Sequence, residues 1–295
     1  MNKKEFIFLY DAKNTIPNGD PFTGEQRYDE ESRKALVSDV RIKRYIRDFL
    51  DNDPFGDGDI VFYSDKTSKG TTEERKNELK VKSLDELKEK CIDVRLFGVV
   101  TSEKKDNKLT GAVQFMLFNP SINKVDLVTT QNTTIMTSKS GKSQGSIATY
   151  SYVPYAIFVI TGYFNPIVGD ENKVSDKDLE KMIISLWQEI NSKNTRSKNS
   201  QTSRLLIEIN YKDNYSKVAD LYESIVVEDK EYRSFEEIKK DLDFSKLLKL
   251  INENKEIIES VNIYLDENSF SKDDFKEIEV NKNFYTIKGL EIKEI

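Results

Sequence analysis

The sequence predicts an α+β fold whose elements run β-α-β-β-α-β as far as residue 211, interrupted by large insertions. Three observations predict it. Apolar runs of strand type stand at 5–10, 92–100, 112–118, 152–164 and 204–211. Two stretches of helical periodicity, 33–50 and 176–190, fall among them. The remaining segments are too charged or too rich in Ser and Thr to belong to a core. Stripped of insertions, among them an added hairpin and strand, this order is the ferredoxin-like or RNA-recognition-motif-like arrangement, which by itself gives no function.

Each element has its own justification. Residues 5–10 (EFIFLY) form a buried strand, followed by the turn-rich NTIPNGDPFTGEQ. Over 33–50, helical spacing gathers Ile42, Tyr45, Ile46, Phe49 and Leu50 on one side. Arg33, Lys34, Arg41, Arg44 and Arg47 take the other side, with Lys43 near the boundary. The stretch 51–59 ends this helix, and 64–90 is a lysine-rich insertion with a short helix around Leu79 to Leu87. Strands follow at 92–100 and 112–118. Residues 129–151 hold eleven Ser or Thr and no acid, so they protrude as a hairpin or loop. A long strand at 152–164 leads to the helix 176–190, with Ser175 as N-cap. Residues 204–211 alternate as a half-buried strand. The remainder holds helices near 216–226 and 234–260, then strands near 261–266 and 284–292.

Composition excludes several mechanisms. The 295 residues contain no His, so imidazole bases and His-ligated metals are ruled out. The single Cys91 forms neither an internal disulfide nor a cysteine zinc cluster, which suits a reducing cytoplasm. No apolar run reaches the length of a membrane span, and the N-terminus has no signal-peptide pattern.

The formal net charge of −6 is unevenly spread. Residues 212–295 carry 14 basic and 21 acidic groups, which leaves 1–211 at +1. Within 33–47, Arg33, Lys34, Arg41, Lys43, Arg44 and Arg47 face only Asp39. A second cluster, Lys193, Arg196, Lys198, Arg204 and Lys212, faces only Glu208. A polyanion responds to such local patches and not to the overall sum.

Three alternative sites fail on their own chemistry. Gly141-Lys142-Ser143 looks like the end of a Walker A loop, but the required upstream glycine is Met136. The acidic turn from Asp51 to Asp59 has Phe55 and Phe62 where a calcium loop needs ligands. Asp11, Asp20 and Asp39 lack the spacing of a metal cluster, and Asp20 in its Pro-Asn-Gly-Asp-Pro turn caps its own backbone. The one-sided basic helix survives, with Ser38 able to donate to a phosphate and guanidinium groups suited to bidentate phosphate contacts.

At NTIPNGDP (14–21) followed by RKALVSDVRIKRYIRDF (33–49), the sequence resembles the backbone subunit of CRISPR type I Cascade surveillance complexes, in the RAMP superfamily. The branch it most resembles is subtype I-B, close to I-C. DVRLFGVV (93–100), LTGAVQFMLFNPSIN (109–123), VPYAIFVITGYFN (153–165) and TRSKNSQTSRLLIEI (195–209) continue the likeness in order. It covers roughly residues 1–211. GSIATYSYVPY departs from it by lacking a basic residue.

The resemblance implies a non-catalytic, cofactor-free subunit that polymerises head to tail along a CRISPR guide RNA. Its partners are the guide, the target DNA strand paired to it, copies of itself and other Cascade subunits; its place is the cytoplasm, with no membrane. It implies a palm over 1–211, with fingers at about 51–91 and a thumb hairpin at about 119–151. The acidic part, 212–295, completes or flanks the palm. Carried over by residue, the RNA-binding set is Asn18, Gly19, Asp20, Arg33, Ser38, Arg41, Lys43, Arg44, Arg47, Gln114, Ser121, Lys139, Lys142, Thr195, Arg196 and Ser197. Two other readings stay open. One is a metal-dependent target-RNA endonuclease of the same superfamily, using Asp20 or Asp39. The other is a stand-alone RNA-binding regulator.

Overall fold

The computed structural model describes residues 1–67, 70–101, 108–133 and 147–295. Its strands are β1 (Lys4–Thr15), β2 (Tyr28–Asp29), β3 (Lys34–Ser38), β4 (Gly98–Val100), β5 (Lys108–Thr110), β6 (Val113–Phe115), β7 (Phe118–Pro120), β8 (Val128–Thr133), β9 (Ile147–Phe164), β10 (Gln201–Tyr211), β11 (Ile258–Leu265), β12 (Asn281–Lys288) and β13 (Glu291–Glu294). The helices are α1 (Asp39–Leu50), α2 (Thr72–Leu79), α3 (Leu84–Lys90), α4 (Ile92–Phe97), α5 (Pro166–Asn172), α6 (Asp176–Ser192), α7 (Phe235–Ile238) and α8 (Ser245–Glu253). The protein is therefore of mixed α+β class.

The main sheet runs β13-β12-β11-β10-β1-β9-β6, with β8 paired to β9 as a branch. β1 lies antiparallel between β10 and β9, and its register with β9 runs from Lys4↔Phe164 to Thr15↔Val153. Strand alternation sorts its side chains onto two cores. Phe6, Phe8, Tyr10 and Ala12 meet α1 and α6 on one face, while Ile7 and Leu9 meet the C-terminal segment on the other. On α1, Ile42, Tyr45, Ile46 and Leu50 are buried, each contributing about 2 kcal/mol of apolar transfer. α6 is capped by Ser175, whose hydroxyl accepts from the Asp178 amide in a capping box.

Several local expectations are corrected. Residues 34–38 form a strand, not the first turns of the helix: Ala35 and Val37 alternate inward, and Ser38 caps α1. Residues 92–97 are a buried helix, a case where a short apolar run does not distinguish helix from strand. The run 112–118 divides, because β6 joins the main sheet and β7 pairs with β3. The helix expected around Leu79 to Leu87 is two helices, split by Lys80 in the left-handed region at φ 55°. The expected 216–226 helix is a 3-10 turn at Leu221–Glu223, and the 234–260 helix divides into α7, α8 and the start of β11.

β10 is not half-buried. Leu205 to Ile209 are buried in succession. Leu205, Ile207 and Ile209 pack with α7 and α8, while on the face that the alternation assigned to solvent Leu206 joins the α1 and α6 core and Glu208 is bonded by Lys4, Asn262 and Tyr264. Residues 60–99 hold a small core of their own around Phe62, Leu87, Cys91 and Val94. Burial pushes the Cys91 thiol up to about 12, which keeps it inert. β8 and β9 form a hairpin stem, paired from Val128↔Tyr152 to Thr133↔Ile147. Among the described residues, no helix is long and apolar enough to cross a membrane.

Candidate nucleic-acid interface

An open groove of about 710 Å³ lies where the turn after β1 meets the N-terminus of α1. It brings together six residues of the expected set: Asn18, Gly19, Ser38, Arg41, Arg44 and Arg47. The turn is fastened to the helix start. The Ser38 amide and hydroxyl donate to Asn18 Oδ1 at 2.7 and 2.8 Å, and the Asn18 amide donates to Gln26 Oε1 at 2.9 Å. The Ser38 hydroxyl also accepts from the Arg41 amide, so it is occupied as an N-cap and not free to donate to a phosphate. At Gly19 an added Cβ would stand 3.3 Å from the Gly24 carbonyl, a contact tighter than side chains ordinarily make.

Asp20 serves this turn. Its Oδ1 accepts from the Phe22 and Thr23 amides, bonds that hold its carboxyl below the usual range. Arg27 pairs with Asp20 at 3.5 Å and lines the groove, although the sequence reading did not select it. Its signal was weak, since it stands apart from any charge cluster.

The basic face is largely neutralised by carboxylates. Lys43 pairs with Asp39 and donates to Gln114 Oε1, while Gln114 Nε2 donates to the Gly111 carbonyl. Arg44 pairs with Asp48 and Asp65. Arg47 donates to Asp93 Oδ2 at 2.9 Å, and the fully buried Asp93 also accepts from the Phe62 and Tyr63 amides. Arg41 differs. Its guanidinium carbon lies 3.8 Å from the Tyr45 ring centre, and its Nε and Nη2 are buried without a hydrogen bond. The groove rim is apolar: Val40, Leu117 and Phe118 are exposed beside it.

Other expected residues lie elsewhere. Arg33 is off the helix, at φ 55°, and pairs with Asp126 and Glu231. Ser121 is buried, donating to the Asn123 carbonyl and accepting from the Ala35 amide. Thr195 is exposed, and Arg196 stacks 4.6 Å from the Tyr150 ring at the base of the hairpin. The Ser197 carbonyl accepts from the Thr15 hydroxyl and the Ile16 amide, which docks this loop behind the groove turn. Lys139, Lys142 and the Gly141-Lys142-Ser143 tripeptide lie outside the described residues. The second basic cluster is dispersed: Lys193 pairs with Asp48 and Glu189, and Arg204 with Asp11 and Asp266.

Among the described residues no group of three or more acidic or cysteine side chains converges on a metal position. Asp11 is taken up by Arg204 and Tyr155, Asp39 by Lys43, and Asp20 by its turn. In the Asp51–Asp59 turn, Asp57 and Asp59 are bound by Lys181.

Comparison with known proteins gives a consistent family. The family model described as CRISPR-associated protein Cas7 matches residues 2–243. A curated relative from Haloferax volcanii, CRISPR-associated protein Cas7, is 27% identical over 276 residues, covering 81% of this chain and 79% of the relative. A solved chain of a CRISPR RNA-guided surveillance complex in a pre-nicking state superposes with a TM-score of 0.59 at 12% identity, covering 95% of this chain and 96% of that one. A chain of another CRISPR RNA-guided surveillance complex gives 0.51 at 13% identity, covering 94% of each. At these identities the two solved chains establish a shared fold.

Proposed function

The chain belongs to the Cas7 family of CRISPR-associated proteins, and from that premise we propose that it is a non-catalytic backbone subunit polymerising along the guide RNA of a Cascade complex, of subtype I-B. The single observation that carries this reading is the convergence of Asn18, Gly19, Ser38, Arg41, Arg44 and Arg47, drawn from two separated motifs, on one open groove. A guide must be held whatever its spacer sequence, so its contacts fall on phosphate and sugar. Backbone amides, guanidinium groups and small polar side chains are suited to that.

On this reading β10-β1-β9-β6, with α1 and α6 on one face, is a ferredoxin-like palm; its strand order supports that reading. Residues 51–91 are the fingers, and the β8–β9 hairpin is the stem of a thumb within about 119–151. Residues 212–295 extend the sheet and cover its second face, consistent with completing the palm. The partners are guide RNA, the paired target DNA strand, further copies of the chain and other Cascade subunits, in the cytoplasm.

The test is to purify the chain from cells carrying a CRISPR array and sequence the nucleic acid that accompanies it. Sedimentation on a full-length guide follows. Array-derived RNA and a ladder of bound copies are expected. RNA unrelated to the array, or a single copy at saturation, would favour the stand-alone regulator.

A further inference from the structure

We propose that filling the groove with a phosphodiester backbone draws a proton onto Lys198, so that pH sets the RNA affinity of this chain through a residue behind the groove. The inference rests on the guide-binding reading above.

Lys198 buttresses the groove turn from the rear. Its ammonium donates to the carbonyls of Ile16 and Pro17, the residues immediately before Asn18. Its carbonyl accepts from Gln201 Nε2, and Gln201 Oε1 accepts from the Tyr45 hydroxyl, on whose ring Arg41 is stacked. Lys198 and Arg41 thus belong to one packed group.

This group is short of negative charge. Among the described residues no carboxylate forms an ion pair with Lys198 or Arg41; the Glu189 carboxylate, bound to Lys193, feels the charge of Arg41 without pairing with it. The charged neighbours of Lys198 are Arg41 from α1 and Lys193 from the end of α6, both cationic. The acids on that side, Asp48 and Glu189, each lie 2.7 Å from the Lys193 ammonium. Tyr10, packed near Arg41 and Tyr45, offers a buried hydroxyl with no hydrogen-bond partner. Unpaired donors and cations gathered around one side of a groove call for an anion.

Burial first, then repulsion from Arg41 and Lys193, pushes the Lys198 ammonium down to about 7. A phosphodiester seated against Arg41 cancels part of that repulsion, so Lys198 holds its proton more tightly in the complex than in the free protein. The sign follows from linkage. Below about pH 7 Lys198 is already charged, no proton is taken up, and affinity is at its highest. As pH rises through the free-protein value toward the value in the complex, each binding event takes up a proton and affinity falls. Linkage of one full proton weakens binding about tenfold between about pH 6 and about pH 8. The chain has no histidine, so no imidazole titrates in that window.

The experiment measures fluorescence anisotropy of a labelled single-stranded RNA with the full chain across that pH range at fixed salt. Wild type should lose about tenfold in affinity. Lys198→Arg, which keeps its charge throughout, and Lys198→Met, which never has one, should both give flat profiles, with melting curves confirming folding. Calorimetry of the wild type in two buffers of different ionisation enthalpy reads proton uptake without any variant. RNA binding that is insensitive to pH, or an equal slope in the two variants, overturns the proposal and leaves the guide-binding reading intact. No RNA binding at any pH overturns both.

Discussion

The guanidinium of Arg41 lies 3.8 Å over the ring of Tyr45, one helical turn further along α1, with two of its nitrogens buried and unbonded. Stacking fixes the plane of the fork, and no carboxylate competes for its edge. Arg44 and Arg47, on the same helix, are spent on Asp48, Asp65 and Asp93. Binding energy on this face is therefore expected to concentrate at Arg41.

Arg41→Ala should weaken RNA binding for every sequence alike. It should also reduce the slope of log K against log salt by about 0.7 for each phosphate of the single strand that is no longer neutralised. Arg41→Lys should recover only part of the affinity, because an ammonium neither stacks as a plane nor donates as a fork. Anisotropy titrations at several salt concentrations read both effects. An unchanged slope in Arg41→Ala would remove this residue from the guide track.

Arg47 has a different task. Its partner Asp93 is fully buried and also anchors the Phe62 and Tyr63 amides, tying α1 to the 60–97 segment. Arg47→Ala leaves that carboxylate without its counter-charge and should cost about 3 kcal/mol of folding stability. Urea denaturation checks it, and Asp93→Asn added to Arg47→Ala should recover part of the loss. An unshifted midpoint would mean that Arg47 faces the groove and not the fold.

Much of this was legible in the sequence, for identifiable reasons. The long strands and α6 were found because apolar runs and a Ser175 cap are local signals. The groove residues were found because they sit in two motifs whose order is distinctive. What was missed depends on partners distant in sequence. Asp93, Asp48 and Asp65 neutralise Arg47 and Arg44 from other segments, and no helical wheel shows that. Ser38 reads equally as a phosphate donor and as a cap; only the Asn18 contact decides. Lys198 stood in a basic cluster, but its burial against Ile16 and Pro17 is a tertiary fact.

Catalysis is not expected. Asp20 is bonded within its own turn and Asp39 to Lys43, and no third acid approaches either among the described residues. Purified protein with Mg²⁺ or Mn²⁺ should leave guide RNA and a paired target RNA intact. Gel analysis of end-labelled strands decides it. Reproducible metal-dependent cleavage, abolished in Asp20→Ala or Asp39→Ala, would make the endonuclease the better reading.

The hairpin carries the last expectation. Thr133 and Ile147 are Cα partners at the far end of the β8–β9 stem, so a two-residue Asn-Gly turn can replace residues 134–146 and close the ladder. The palm should tolerate this, because residues 153–164 of β9 are held along their length by β1 and do not depend on β8. Closure entropy changes only logarithmically with loop length, so stability should shift by about 1 kcal/mol or less. Binding of one copy to a short RNA should survive, since Arg41 and the Asn18 turn are untouched. If the hairpin reaches over a neighbour's stretch of guide, the regular ladder of copies on a full-length guide should disappear. A melting curve paired with sizing on that guide separates the outcomes. An unfolded variant would mean that 134–146 belongs to the core. A variant that folds and still builds the full ladder would remove the thumb assignment and, with it, the mechanical basis for regular spacing along the guide.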